Sequence, residues 1–502
     1  MIQIRSVTIC FFLSFFFSRA TAQKAERITV RFDENTTYQT IQNFAASDAW
    51  SCQFVGNWPD KKKNAIADWL FSLDTLANGN PKGIGLSMWR YNLGAGSSEQ
   101  GESSKIKDEW RRAPLTLGND PKVTGQNWFL QAAKKRGVGQ FLGFYNSPPV
   151  QLTKNGRAYA DSGRVNLDSS KYAAFADYTV KVIQQIKQST SIALDYISPV
   201  NEPQWDWSDG GQEGCPYTNT EITNVVKAFN TAFQKNGLHT KLLITESGQH
   251  NYLLTATNRF EKDNQINDFF NSASPLYVGD LPSLSRTIAS HSYFTTSPLS
   301  AAIDMRTKIR ESISQIKNLA FWQTEYCVLG DNGGEINGNK KDLGINAALY
   351  VAKVIHGDLS VANAAAWQWW TALSAYDYKD GLIYLDKKEK DGNFSDSKIL
   401  WALGNYSRFI RPGMQRIALQ IPTLKDVYPS AYKDNKTKQL VCVFINESAA
   451  SQTVSLERTK TSSASKDIIF YVTDAANNLA KHVIKGKEIV LPAKSIVTAI
   501  LK

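Results

Sequence analysis

The sequence predicts an α/β fold, a (β/α)8 TIM barrel with a C-terminal β-sandwich packed on its side. Three observations carry that expectation. Between about residues 40 and 370, short β-branched or aromatic runs alternate eight times with helical-period segments, the number that closes such a barrel. After Phe409-Ile-Arg-Pro-Gly413 the pattern changes to the two-residue alternation of strands, separated by polar turns, as in a sandwich. An early strand, residues 27–31, precedes the barrel and has no place in it, so it is expected to join the C-terminal sheet.

The elements follow in chain order. Residues 1–22 read as a secretory signal peptide: Arg5 precedes an apolar stretch at 7–17, and Ala20-Thr21-Ala22 supplies a small-residue cleavage site. The apolar stretch falls short of the ~20 residues that span a bilayer, so no stable membrane insertion is expected and the mature protein begins near Gln23, exported to the periplasm or beyond the cell. Residues 23–38 are then the N-terminal strand of the sandwich, 39–410 the catalytic barrel and 411–502 the rest of the sandwich. Barrel strands are predicted at 40–46, 84–93, 140–145, 194–200, 241–245, 287–293, 319–324 and 363–369. Amphipathic helices read clearly at 170–188, 220–236 and 304–318. Sandwich strands are predicted at 439–445, 468–472, 488–491 and 495–500, and only 459–465 approaches low complexity.

Composition bounds the function. The 502 residues are 42% hydrophobic, enough for a large core. The formal charge is +11, or +9 once Arg5 and Arg19 leave with the signal peptide. The basic residues are scattered, as in Lys61-Lys62-Lys63, which points to solvated faces and away from nucleic acid. Cys52, Cys215, Cys327 and Cys442 contain no C-x-x-C pair, and the histidines make no H-x-x-x-H, so no metal site is expected. Cys52 and Cys215 fall beyond predicted strand ends on one face and are the candidate disulfide.

In such a barrel the working residues sit where each strand meets its following loop. Those ends carry Asp48 and Trp50, Arg90 and Asn92, Asn146, then Asn201, Glu202, Trp205 and Trp207, then Glu246, His291 and Tyr293, Glu325, and finally Trp367, Trp369 and Trp370. Carboxylates, a guanidinium, amides and aromatics are what a sugar site needs, because pyranose rings stack on indoles while amides bond their hydroxyls. Retaining hydrolysis takes one carboxyl that protonates the leaving oxygen and a second that attacks the anomeric carbon. Glu202 and Glu325, on strands four and seven across one barrel mouth, are the candidate pair, and Glu246 is a weaker third carboxylate. Tyr293 would hold the nucleophile ionised, Arg90 would do so if it faces inward, and His291 reads equally as a core residue. Gly94-Ala-Gly96 lacks the rest of a phosphate loop.

The stretches Asn43-Phe-Ala-Ala-Ser-Asp48, Trp89-Arg-Tyr-Asn92, Pro199-Val-Asn-Glu-Pro203, His291-Ser-Tyr293, Gln323-Thr-Glu325 and Leu403-Gly-Asn-Tyr-Ser-Arg-Phe-Ile-Arg-Pro-Gly413 resemble glycoside hydrolase family 30. The resemblance implies a barrel with a side-packed sandwich, Glu202 as acid/base and Glu325 as nucleophile. It implies Asn201 on the sugar 2-hydroxyl, Asp48 on the sugar before the cleaved bond, and Trp369 or Trp370 as the aromatic of strand eight. No cofactor is implied. The strand-three loop departs from the family: Tyr145-Asn-Ser-Pro-Pro-Val-Gln-Leu lacks its usual tryptophans. Ser47-Asp-Ala-Trp-Ser-Cys52 is similar to the family's exported polysaccharide enzymes, including endo-β-1,6-galactanases and, more loosely, xylanases. The expectation is an exported retaining β-glycosidase acting on β-1,6-galactan first and xylan second. The rival is a non-catalytic glycan-binding protein on the same barrel.

Overall fold

The computed structural model describes residues 28–255, 258–422, 424–458 and 467–501. The signal peptide, Gln23 to Arg27 and the low-complexity stretch 459–465 lie outside the described residues.

The first strand, β1 (Ile28–Thr40), leads directly to the barrel strands: β2 (Asn43–Ala46), β3 (Met88–Leu93), β4 (Gln140–Tyr145), β5 (Tyr196–Ser198), β6 (Lys241–Ser247), β7 (Leu284–His291), β8 (Ala320–Glu325) and β9 (Ala366–Trp369). Consecutive members pair in parallel, and β9 pairs with β2. A bridge between Ser47 and Arg90, with Asp48 N–H donating to the Arg90 carbonyl at 3.0 Å, closes β2 onto β3. Along β3 the two-residue alternation sends Met88 inward to the apolar floor with Leu142, Leu243 and Trp322, while Trp89 and Tyr91 face the helices. Above that floor the interior turns polar, beginning at Arg90.

All eight predicted barrel strands form, with shifted ends. Predicted strand 84–93 begins four residues later because Ile84 and Leu86 bond the carbonyls of Trp69 and Leu70, ending the preceding helix. The helices run Tyr172–Thr190, Asn219–Lys235 and Leu299–Ser314. The second starts at a capping box in which Thr218 and Glu221 bond each other's backbone. The third begins five residues before its predicted start, directly after Pro298, which the apolar pattern did not register.

Beyond the barrel, β10 (Thr371–Ser374), β11 (Gly381–Leu385) and β12 (Phe394–Asp396) form a small sheet, and β13 (Gln415–Gln420), β14 (Val427–Lys433), β15 (Leu440–Asn446), β16 (Gln452–Arg458), β17 (Ile468–Thr473), β18 (Ala480–Ile484), β19 (Glu488–Leu491) and β20 (Ser495–Leu501) complete the C-terminal unit. Among the described residues its order is β18-β17-β20-β15-β14-β13-β1-β16-β19, and both halves contribute to one core, so the sheet folds over on itself as a sandwich. The early strand does belong here: β1 lies antiparallel to β13 and parallel to β16, and it extends to Thr40 past two irregularities. Its polar middle hides the alternation that would have announced its length. On β15, Leu440, Cys442 and Phe444 face the sandwich core while Val441, Val443 and Ile445 face the barrel, so the strand is apolar throughout.

Arg408, from the motif leading to Gly413, fastens the helix Lys398–Ser407 to the barrel: its guanidinium donates to the carbonyls of Ser72, Gly83, Leu73 and Asp74 at 2.6–3.0 Å. Arg408→Ala is expected to cost about 2–3 kcal/mol, since several charge-assisted bonds are lost together. A urea midpoint unchanged from wild type would show that the latch contributes nothing.

Candidate active site

At the barrel mouth Glu202 at φ 46° and Glu246 at φ 52° bend in the left-handed region, where a side chain costs roughly 1–2 kcal/mol. The Glu202 N–H donates to the Glu246 carbonyl at 2.8 Å, so the loop after β5 is pinned to the end of β6. Strain of this kind at a strand end aims a side chain instead of satisfying the strand ladder.

The bend brings Glu202 over Glu325, the last residue of β8. An oxygen of each, with a ring nitrogen of His291, lie within 4.8 Å of one another. The Glu325 carboxylate accepts from Arg90 at 2.6 Å and from the Tyr293 hydroxyl at 2.9 Å. Arg90 also donates to Asn201 at 3.1 Å and to Glu246 at 3.3 Å, with its guanidinium 3.6 Å from the Phe144 ring centre. Glu246 is fully buried beneath and further accepts from Ser198 at 2.6 Å and Thr324 at 2.5 Å. His291 bridges the layers, Nδ1 at 2.8 Å from Glu202 and Nε2 at 3.1 Å from Glu246.

Burial opposes charge on every one of these groups, and the neighbours decide the outcome. For Glu246, burial pushes its carboxyl up, but Arg90 and the bond from His291 outweigh it and hold the group down to about 2. For His291, burial pushes downward, but Glu325 and the bonds to Glu202 and Glu246 carry it up to about 9. Glu202 is raised, chiefly by burial and against the pull of His291. The neighbours thus favour charge on Arg90, His291 and Glu246, while burial favours the proton on Glu202. The trio Glu202, His291 and Glu325 has ligand atoms close enough together for a metal, but both His291 ring nitrogens are already engaged, with Glu202 and Glu246.

Above the pair opens a cavity of about 940 Å³. Trp205 and Trp207 wall it on the Glu202 side, with the Trp207 indole donating to the Glu202 carbonyl at 3.0 Å. Trp50 and Trp370 wall the other side, edge to face with centroids 5.3 Å apart. The structure separates the two candidates on β9: Trp370 lines the cavity, whereas Trp369 is buried and bonds the Asp380 carbonyl at 2.6 Å, so Trp369 is not available to a substrate.

Other predicted contacts also move. Asp48 is buried outside the cavity lining, where it accepts from the Asn92 N–H at 2.7 Å, and burial pushes its carboxyl up to about 8. Its bond closes the β2 end onto β3. Arg90, Asn146, Asn201 and His291 lie beneath the cavity, with Asn201 donating to Asn146 at 3.0 Å and Asn146 to Asn92 at 3.3 Å. The candidate disulfide is absent: Cys52 and Cys215 are both buried free thiols. They follow the first and fourth barrel strands, which are not neighbours around the mouth, and Cys215 instead accepts from the Asn166 N–H at 3.3 Å.

Sequence reading missed Arg111, Asp209, Tyr376 and Asp380, all of which line the cavity from long loops instead of strand ends. The lengths of those excursions were the available signal.

A closed parallel barrel that brings glutamates of its fourth and seventh strands together under a tryptophan-walled cavity defines a glycoside hydrolase. The family model for O-glycosyl hydrolase family 30 matches residues 27–384, and the chain belongs to that family. A glucuronoxylanase of Bacillus subtilis is 23% identical over 407 residues, covering 75% of this chain and 78% of its own. A conserved exported protein from Bacteroides fragilis superposes with a TM-score of 0.86 at 34% identity, over 94% of this chain and 100% of that one. An endo-β-1,6-glucanase shares the fold at a TM-score of 0.67 and 15% identity, over 94% of each chain. Among the described residues no helix is long and apolar enough to cross a membrane.

Proposed function

We propose that this enzyme is an exported, retaining β-glycoside hydrolase that cleaves neutral β-1,6-galactan by double displacement. The observation that supports the mechanism is the carboxylate spacing: one oxygen of Glu202 and one of Glu325 lie within 4.8 Å of each other, closer to the ~5–5.5 Å carboxyl separation of retaining enzymes than to the ~6.5–9.5 Å of inverting ones. Glu325, held by Arg90 and Tyr293, attacks the anomeric carbon as Glu202 donates its proton to the departing oxygen. A glycosyl ester of Glu325 and the free leaving alcohol result. Water then enters, Glu202 takes its proton, and the ester bond to Glu325 breaks. Trp50 and Trp370 stack on the sugar, and no metal or organic cofactor takes part.

Charge favours a neutral substrate. Among the described residues that line the cavity, Asp206, Asp209, Asp377 and Asp380 outnumber the single cation Arg111, so a uronate branch there would meet like charge. That separates the proposal from a glucuronoxylanase, although xylan is the second reading because a curated relative acts on it. Export accords with the conserved exported protein of Bacteroides fragilis, and N-terminal sequencing of the secreted form should begin at Gln23.

Purified wild type and Glu325→Gln proteins, given β-1,6-galactan, glucuronoxylan and β-1,6-glucan with product lengths read out, test the substrate. Galactan is expected to be cut by the wild type alone. Preferential cleavage of glucuronoxylan would overturn the neutral-galactan reading, and glycan binding without cleavage of any of them would favour a lectin. Proton NMR should show the β-anomer released first; the α-anomer first would refute retention.

A further inference from the structure

Glu213 is a buried carboxyl that takes no part in the pair at the barrel mouth and does not line the cavity, yet it joins two of the loops that do. It is 1% exposed, and it accepts from the Ala95 N–H at 3.0 Å, the Ser97 N–H at 3.3 Å and the Ser97 hydroxyl at 2.6 Å. Ala95 and Ser97 follow β3, whereas Glu213 follows β5. The Ser97 oxygen in turn accepts from the Ala113 N–H at 2.9 Å, which fixes the excursion after β3 two residues from Arg111, on the Trp50 wall of the cavity.

From Glu213 the restraint passes directly to Trp207. The next residue, Gly214, donates to the Ala158 carbonyl at 2.9 Å, and it seats the indole so closely that a Cβ there would strike the Trp207 ring. The Trp207 carbonyl accepts from the Ala160 N–H at 3.1 Å, and its indole donates to the Glu202 carbonyl at 3.0 Å. The indole is thus held between the backbone beside Glu213 and the loop that carries the acid. A leaving group departs toward the acid, so this is the wall it meets.

We infer that Glu213 is a positioning residue for the leaving-group side of the cleft, seating the loop of Trp207 against the loop after β3 so that the indole meets the sugar beyond the cleaved bond. This rests on the glycosidase reading of the cavity and adds what keeps that half of the cleft in shape. Glu99, on the helix Ser97–Gln100, and Tyr178, on the helix Tyr172–Thr190, face the carboxyl from other elements, and neither brings positive charge. Burial outweighs the bonds from Ser97 and Ala95 and pushes the Glu213 carboxyl up to about 7 from an ordinary 4.5. When protonated it stays seated, because the Ser97 hydroxyl can accept from it. A seat that holds the proton more tightly than water does is firmest below pH 4.5 and loosens as pH rises through 7.

Glu213→Ala is expected to raise KM about tenfold for whichever of β-1,6-galactan, glucuronoxylan and β-1,6-glucan the wild type cuts, with kcat/KM for the β-glycosyl fluoride of the same sugar within about twofold. Fluoride is a single atom, too small to reach Trp207. Ser97→Ala removes the shortest bond from the opposite loop and should give the same split, so the test survives if the first variant folds poorly. In the wild type, KM on the polymer should rise as pH rises through about 7, with no such rise for the fluoride. Glu213→Gln, neutral throughout, should be flat. Hydrogen exchange at one pH reads the seat without any substrate: the amides of Ala95 and Ser97 and the segment 205–214 should exchange faster in Glu213→Ala protein than in the wild type. A merely structural glutamate would lower Tm and depress both substrates alike, and that result, or unchanged exchange at the two loops, overturns the inference. If the wild type cuts none of the three glycans, the glycosidase reading fails on its own, and the exchange result still decides whether Glu213 seats the Trp207 wall.

Discussion

Replacing Glu325 by glutamine is expected to lower kcat/KM about 10⁴-fold on whichever β-glycan the wild type cuts, ~5.5 kcal/mol of barrier, with the fold retained. Glutamine keeps the volume and an oxygen that can accept from Tyr293, now 2.9 Å from the Glu325 carboxylate. It cannot form the glycosyl ester, and its amide turns a donor toward Arg90. The roles of the two glutamates are then separable by an external nucleophile. With an aryl β-glycoside of good leaving ability, azide in Glu325→Ala protein should enter from the vacated face and give the α-glycosyl azide. In Glu202→Ala protein the ester still forms, and azide should open it to the β-glycosyl azide. Product NMR reads the two outcomes, and the reverse pattern would exchange nucleophile and acid.

The two glutamates were legible because they obey local rules. Each sits where an apolar strand run ends, and the eight-fold alternation places strands four and seven at one mouth. What escaped depends on how elements pack. Asp48 occupies a strand end like the others, yet its carboxylate turns back to the Asn92 N–H, and nothing in Ser47-Asp48 distinguishes that from a contact to sugar. On β9 the alternation carries Trp367 and Trp369 to one side, where both are buried, and the residue after the strand reaches the cavity instead. Glu246 reads as a weaker third carboxylate in the sequence, since its importance lies in partners from β3, β5, β7 and β8 that only barrel closure assembles. Arg111 and Asp380 sit on loop excursions whose course follows from tertiary contacts, so no spacing announces them. The Cys52–Cys215 pairing failed for a related reason: sharing a face of the barrel does not make two loops adjacent.

Glu246→Gln is expected to produce the largest loss of stability at the site together with a displaced pH profile. The carboxylate is fully buried and compensates Arg90 and His291 at 3.3 and 3.1 Å. Removing one partner of such a network leaves buried charge uncompensated, worth about 3 kcal/mol or more, which a urea titration near pH 6 should reveal. The signs follow from the two shifts. Glu246 is held down to about 2 from an ordinary 4.5, so its contribution is full above 4.5 and lost as pH falls through 2. His291 is carried up to about 9 from 6.5, so its contribution is full below 6.5 and lost as pH rises through 9. The wild-type network is thus complete between about pH 4.5 and 6.5. In the variant, the acid-side loss due to this carboxyl disappears, while His291 gives up its proton earlier, so its contribution is smaller and its alkaline loss is complete at lower pH. Activity should respond through the same histidine. The basic limb of kcat/KM marks loss of the Glu202 proton, which burial retains and which His291 pulls against. Without Glu246 the His291 charge that pulls the Glu202 carboxyl down is lost at lower pH, so Glu202 keeps its proton further and the basic limb should shift up. A variant that loses stability but keeps the wild-type limb would mean that Glu246 supports the barrel without setting the acid.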